Sequence, residues 1–198
     1  MDQKTLITIT RQYGSGGREV AEILAKKMGV RRYDRKVVAM AAENAGRAED
    51  FNDIIERSYN APDSSLGNLG DFAYESVPQH NRMYIEQAKV ILRLAKEGSA
   101  VFLGRCADYI LRDDPDAISV FIYADDAYRL ERSKTHYGDR TLKELDAEDK
   151  QRKNYYAYYT GRVWGAPENY DLMINTARIS LEDAADLILA YAKLRGKK

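Results

Sequence analysis

The chain has 198 residues, with 31 basic and 31 acidic side chains and no formal net charge. That length suits one α/β domain with a small excursion, and the charge balance gives no general reason to expect nucleic-acid or membrane binding, so any cationic site has to be local. A single cysteine, Cys106, excludes an internal disulfide; no stretch approaches the ~20 apolar residues that span a bilayer; and Met-Asp-Gln-Lys leads straight into a strand, which together set the expectation of a cytoplasmic protein.

Leu6 to Thr10 is apolar and β-branched, the composition of a buried parallel strand. Gly14, Gly16 and Gly17 then permit a tight turn. From Glu19 the apolar positions Val20, Ile23, Leu24 and Met28 recur at helical spacing, with Gly29 as the stop. A strand, a glycine turn and a helix in succession bring bare backbone N–H groups and the positive end of a helix dipole together, which is a ready site for phosphate. The same turn can also join strand to helix with no ligand. Three glycines in four positions and the adjacent Arg18 favour phosphate. The usual phosphate loop is G-x-x-x-x-G-K-[ST]. Here Arg11 stands at its first glycine, Gly16 keeps the second, and Gly17 stands where the lysine would be.

Arg31 to Asp34 reads as a short second strand ending in a carboxylate that can cap a following helix. Helical pattern continues through Val37, Val38, Met40, Ala41 and Ala42 and resumes from Phe51 to Tyr59, while residues 61–70 are a loop rich in turn residues, a flap or a plain surface connection. Asn81 to Glu97 predicts a helix with Ala88, Ile91, Leu92 and Ala95 on its apolar face. Ala100 to Leu103 is a third strand with Gly104-Arg105 at its carboxyl end, where open parallel sheets bind ligands. A helix from Ala107 to Leu111, a strand from Ile118 to Tyr123 and a charged helix through Arg132 follow. Thr141-Leu-Lys-Glu144 is a capping-box pattern. Its helix runs into Tyr155, Tyr156, Tyr158 and Tyr159, a cluster suited to half-buried packing or base stacking. Leu172 to Asn175 is a last strand, and Ser180 caps a final helix carrying Leu181, Ala184, Leu187, Ile188 and Tyr191. Five strands separated by helices imply an α/β fold with a parallel sheet covered on both faces.

Four segments carry a resemblance to the P-loop nucleoside monophosphate kinases, and within them to the cytidylate kinase-like family. They are Ile7-Thr-Ile-Thr-Arg-Gln-Tyr-Gly-Ser-Gly-Gly-Arg-Glu19, Tyr33-Asp-Arg35, Val101-Phe-Leu-Gly-Arg-Cys-Ala-Asp-Tyr-Ile-Leu111, and Asn169-Tyr-Asp-Leu-Met-Ile-Asn-Thr176. The resemblance implies a three-layer P-loop fold with a five-stranded parallel sheet in order 2-3-1-4-5 and a helical lid, in a single domain over residues 1–198. It implies a monophosphate-binding excursion about residues 35–97 and a lid about residues 141–168. ATP with Mg²⁺, and a small-molecule nucleotide acceptor, are the expected ligands. Gly14, Ser15, Gly16, Gly17, Arg18 and Glu19 fall on the donor loop; Asp34, Arg35, Arg105 and Asp108 fall on the acceptor side; Arg18, Arg152 and Arg162 are the candidate catalytic cations. No residue is assigned as a direct metal ligand, although Glu19 can reach Mg²⁺ through water. The family's loop lysine falls on Gly17, its following threonine on Glu19, and the aspartate after its Gly-Arg on Cys106. Cations at 150–162 predict a lid held off the cleft until anions arrive. A non-catalytic nucleotide-binding protein is the alternative reading, and self-association is left open.

Overall fold

The computed structural model describes residues 4–34, 38 and 77–196, with side chains from residue 83 onward in the helix that opens at Val77. Arg35, the helical patterns over 37–42 and 51–59 and the loop at 61–70 lie outside the described residues, Val38 excepted.

The strands are β1 (Leu6–Arg11), β2 (Arg32–Tyr33), β3 (Ala100–Leu103), β4 (Ala117–Tyr123) and β5 (Leu172–Asn175). All pair in parallel in the order β2-β3-β1-β4-β5. The helices are α1 (Gly17–Met28), α2 (Val77–Glu97), α3 (Ala107–Ile110), α4 (Asp126–His136), α5 (Leu142–Thr160) and α6 (Leu181–Arg195), with a 3-10 turn at Pro167–Asn169.

Because successive strand side chains point to opposite faces, β1 feeds two cores. Ile7 and Ile9 join Val101, Val120 and Ile122 under Val20 and Leu24 of α1 and Ala184 and Ile188 of α6. Leu6 joins Phe102 and Tyr33 under Val90, Ile91 and Leu94 of α2 and Leu111 just after α3. The sheet is therefore the middle of three layers, as a both-face-buried parallel sheet requires. The expected apolar face of α2 is rotated: Leu92 is 45% exposed and Leu94 is buried in its place. In α6, Leu187 is 48% exposed because Ala184, Ala185 and Ile188 already meet the sheet. The caps at Thr141 and Ser180 form, the first as a full capping box with Glu144.

Among the described residues no helix is long and apolar enough to cross a membrane. The carboxyl ends of β1, β3 and β4 open on one edge, where residues 12–16, Gly104-Arg105 and α5 converge.

Candidate functional site

The glycine loop is braced from below. Gln12 continues the β1–β4 pairing by donating its backbone N–H to the Ile122 carbonyl at 2.9 Å. Ser15 is fully buried, and its hydroxyl donates to the Gln12 carbonyl at 2.8 Å. Thr176 Oγ1 donates to the Ser15 carbonyl at 2.6 Å. Ser15 is thus turned inward, and any contact it makes above the loop is through backbone. Gly14 and Gly16 sit at φ +82° and +81°, a region that side chains strongly disfavour. No side chain caps α1 at Gly16, so the leading N–H groups and the helix dipole face outward together.

Cations gather on this opening. Arg11 ends β1, and its guanidinium lies against Gly104, where a Cβ would run into Arg11 Nη1. Its stem lies against Gly17, where a Cβ would be 2.6 Å from Arg11 Cβ. Burial and the neighbouring charge of Arg152 push the Arg11 guanidinium down to about 9; Arg105 and Arg18 act in the same direction, and Asp34 opposes them. Arg152, from α5, donates through Nη1 to the Arg11 carbonyl at 2.9 Å, and burial lowers its own proton affinity. Arg105 follows β3 with its guanidinium 5.2 Å above the Tyr155 ring, and its buried Nε has no hydrogen-bond partner. Gly104, Arg105 and Cys106 are consecutive left-handed residues at φ +76°, +58° and +55°. Holding two non-glycine residues there costs on the order of 1–3 kcal/mol each, strain that collects at ligand sites.

The remaining candidates divide. Arg18 is exposed and leans on Glu22 at 3.9 Å. Asp34, after β2, pairs with Arg32 at 3.2 Å and stays close enough to act on Arg11. Asp108 is buried, accepting from Tyr156 Oη at 2.7 Å and Thr10 Oγ1 at 3.4 Å, and so ties α5 to β1. Arg162 is brought to Tyr109, its guanidinium 5.1 Å from that ring, and lines a cavity of about 380 Å³ with Thr8, Asp108, Arg112 and Tyr170. It is not gathered with the cations at the loop.

Glu19 is held through one oxygen, and its buried Oε2 has no hydrogen-bond partner. Arg132 of α4 donates to its Oε1 at 2.8 Å, and Tyr137 Oη stands at 3.5 Å from the same oxygen. Among the described residues no group of three His, Cys, Asp or Glu side chains is arranged to hold an ion. The glycine cradle and its arginines fit phosphates; the donor set does not fit a directly bound Mg²⁺.

Sequence reasoning missed Arg11 and the group that seats α5. Arg129 of α4, buried beneath Gly14, donates through Nε to the Tyr13 carbonyl at 2.8 Å and through Nη2 to Asp149 at 2.7 Å. Asp149 also accepts from the Tyr13 backbone N–H at 2.7 Å. In this structure Asp149 offsets the cations of the segment and fastens α5 to the loop. Farther on, Trp164 stands edge-on to Phe121 at 5.0 Å. Tyr159 stacks on Tyr84 of α2 at 4.1 Å, and Tyr156 is buried, so the tyrosine run packs α5 against the body.

A five-stranded 2-3-1-4-5 sheet with an uncapped, glycine-opened helix at the end of its central strand is a P-loop kinase architecture. The model of the cytidylate kinase-like family matches residues 6–178, and the chain belongs to that family. It is 24% identical over 197 residues to a cytidylate kinase of Archaeoglobus fulgidus, an alignment covering 96% of this chain and 95% of that one. Among solved structures, an uncharacterized protein from Eubacterium ventriosum superposes with a TM-score of 0.72 at 26% identity, covering 96% of this chain and 99% of the other. Shikimate kinase from Acinetobacter baumannii, at 16% identity, matches the fold with a TM-score of 0.56, covering 100% of this chain and 97% of that one.

Proposed function

We propose that the chain transfers the γ-phosphoryl group of ATP to a nucleoside monophosphate, with cytidylate the foremost acceptor. The observation that carries this reading is the gathering of Arg11, Arg105 and Arg152 about the glycine loop, with Arg18 nearby and Asp34 the opposing carboxylate. So many cations in one half-buried opening suit two polyanionic substrates brought end to end. Family membership and the cytidylate kinase relative support the nucleotide class and the acceptor.

In the reaction an acceptor phosphate oxygen forms a bond to the γ-phosphorus as the bond to the β–γ bridging oxygen breaks. The electron pair leaves with ADP, and a nucleoside diphosphate is the other product. The acceptor is already an anion, so the protein supplies alignment, exclusion of water and positive charge rather than a base. Backbone N–H groups of the loop and of the first turn of α1 hold the donor phosphates, while Ser15, whose N–H and hydroxyl both turn to the Gln12 carbonyl, shapes the loop from below. Arg105 and Asp34 stand on the acceptor side. Arg152 and Arg18 flank the transferring group, while Arg162 and Asp108 belong to the neighbouring cavity. Glu19 is engaged through Oε1 by Arg132, which orients it at the start of α1.

The missing loop lysine and hydroxyl favour a second reading, a protein that binds nucleotide without transfer. A panel of nucleoside monophosphates with ATP and Mg²⁺, followed for ADP formation and for melting temperature, separates the two. Turnover with cytidylate above the other acceptors is the expected result; a raised melting temperature without turnover selects the binder.

A further inference from the structure

We infer that Arg11 replaces the missing phosphate-loop lysine: its guanidinium, set at the junction of β1, the glycine loop and β3, grips a phosphate oxygen of the bound nucleotide, and residue 17 is glycine because Arg11 occupies the space a side chain there would need. The nucleotide in this assignment rests on the phosphotransferase reading above; the anion grip does not.

Three observations carry it. First, two glycines from different elements make room for one side chain. A Cβ on Gly17 would lie 2.6 Å from Arg11 Cβ and 3.0 Å from its Cγ, and a Cβ on Gly104, itself at φ +76°, would run into its Nη1. Any side chain at 17 therefore meets the stem of a non-glycine residue at 11, and comes within 3.3 Å of Ile122 Cβ as well, so glycine at 17 and a cation rooted at 11 go together. Second, Arg11 is not placed as a structural arginine is. A buried guanidinium that serves the fold is paired, as Arg129 is with Asp126, Asp146 and Asp149. Arg11 forms no ion pair among the described residues, and the nearby Asp34 is itself paired with Arg32. Third, its setting disfavours its charge. Burial weighs most, Arg152, Arg105 and Arg18 add to it, and Asp34 opposes them. A guanidinium held among cations without an ion pair costs stability and is kept where a polyanion uses it. Arg18, the cation nearest the lysine's place in sequence, is exposed and turned toward Glu22.

The full chain with Arg11→Gln, with Arg11→Lys, with Gly17→Lys and with the pair Arg11→Gly and Gly17→Lys tests the assignment. Calorimetry with inorganic tripolyphosphate and with ATP is set beside ligand-free melting temperature and turnover. R11Q is expected to bind both probes about 10- to 150-fold more weakly, the loss of one charge-assisted hydrogen bond, while melting no lower than wild type without ligand. R11K, which keeps the charge and loses the fork, should lose less. G17K alone should melt below wild type, and adding R11G should restore both melting temperature and tripolyphosphate affinity. Undiminished affinity in R11Q, equal losses in R11Q and R11K, or no rescue by the paired change would overturn the proposal. Arg11-dependent binding of tripolyphosphate without transfer to any monophosphate leaves the assignment standing and removes the phosphotransferase reading. Transfer at wild-type rate and affinity in R11Q does the reverse.

Discussion

Asp108 is buried between Thr10 and Tyr156, and burial raises its proton affinity above the ordinary carboxylate range despite the hydrogen bonds it accepts. For a carboxyl raised on folding, the stabilising contribution is present below the unfolded value of about 3.9 and is lost as pH rises through the raised folded value. Asn at this position keeps an acceptor for Tyr156 and a donor for Thr10 without the charge. Asp108→Asn should therefore gain melting temperature relative to wild type as pH is taken from about 4 to 8, each raised unit being worth about 1.4 kcal/mol. A difference that stays flat across that range would show Asp108 ionising as it does in water. At this scale the glycines were legible, because left-handed backbone at 14 and 16 has few other solutions. Arg105 was legible from its strand end. Arg11 was not, since a cation at the end of an apolar strand reads as the strand's exit to solvent, and only the fold brings Gly17 and Gly104 around it.

Helix α5 shows how much of an element a local pattern can reveal. Thr141 and Glu144 announce its start, and the box forms, worth about 1 kcal/mol for the cap. What seats the helix was hidden. Asp146, Glu148 and Asp149 are equivalent in a charged run, and nothing local selects Asp149 as the buried partner of Arg129, which lies on a different helix. The selection comes from packing: Arg129 sits under Gly14 and reaches Asp149, whose other oxygen meets the Tyr13 N–H. Asp149→Ala takes the one buried carboxylate from Arg129 and the acceptor from the Tyr13 N–H, leaving the guanidinium only the exposed Asp126 and Asp146, so a loss of about 3 kcal/mol is expected in denaturant unfolding. Glu148→Ala, whose partner Arg140 is half-exposed at 37%, should cost under about 1 kcal/mol. Equal costs at the two positions would remove Arg129–Asp149 as the brace of the loop.

On the scale of the whole molecule, strand order followed from the family resemblance and from right-handed parallel crossovers. The place of α5 across the strand ends followed only in outline. In the structure that helix is attached to the loop that would hold phosphates by Asp149 on the Tyr13 N–H, to the end of β1 by Arg152 on the Arg11 carbonyl, and to the buried Asp108 by Tyr156, while Trp164, just beyond its end, packs on Phe121 of β4. Three arginines, 11, 105 and 152, share the opening beneath it, so the charge that favours a bound polyanion is also the charge that strains the closed arrangement without one. Coupling of this kind makes helix seating and anion binding a single equilibrium. ATP or tripolyphosphate should slow amide hydrogen exchange along α5 as well as in residues 12–19, and a two-headed analogue joining both nucleotides through their phosphates should slow it further. Trp164, the single tryptophan, should change its fluorescence in the same order. Raising ionic strength should weaken these responses, because the attraction is between charges near the surface of the cleft. Slowed exchange confined to residues 12–19, with α5 and Trp164 indifferent to an analogue that calorimetry shows bound, would make α5 a fixed wall of the site and end its role as a lid.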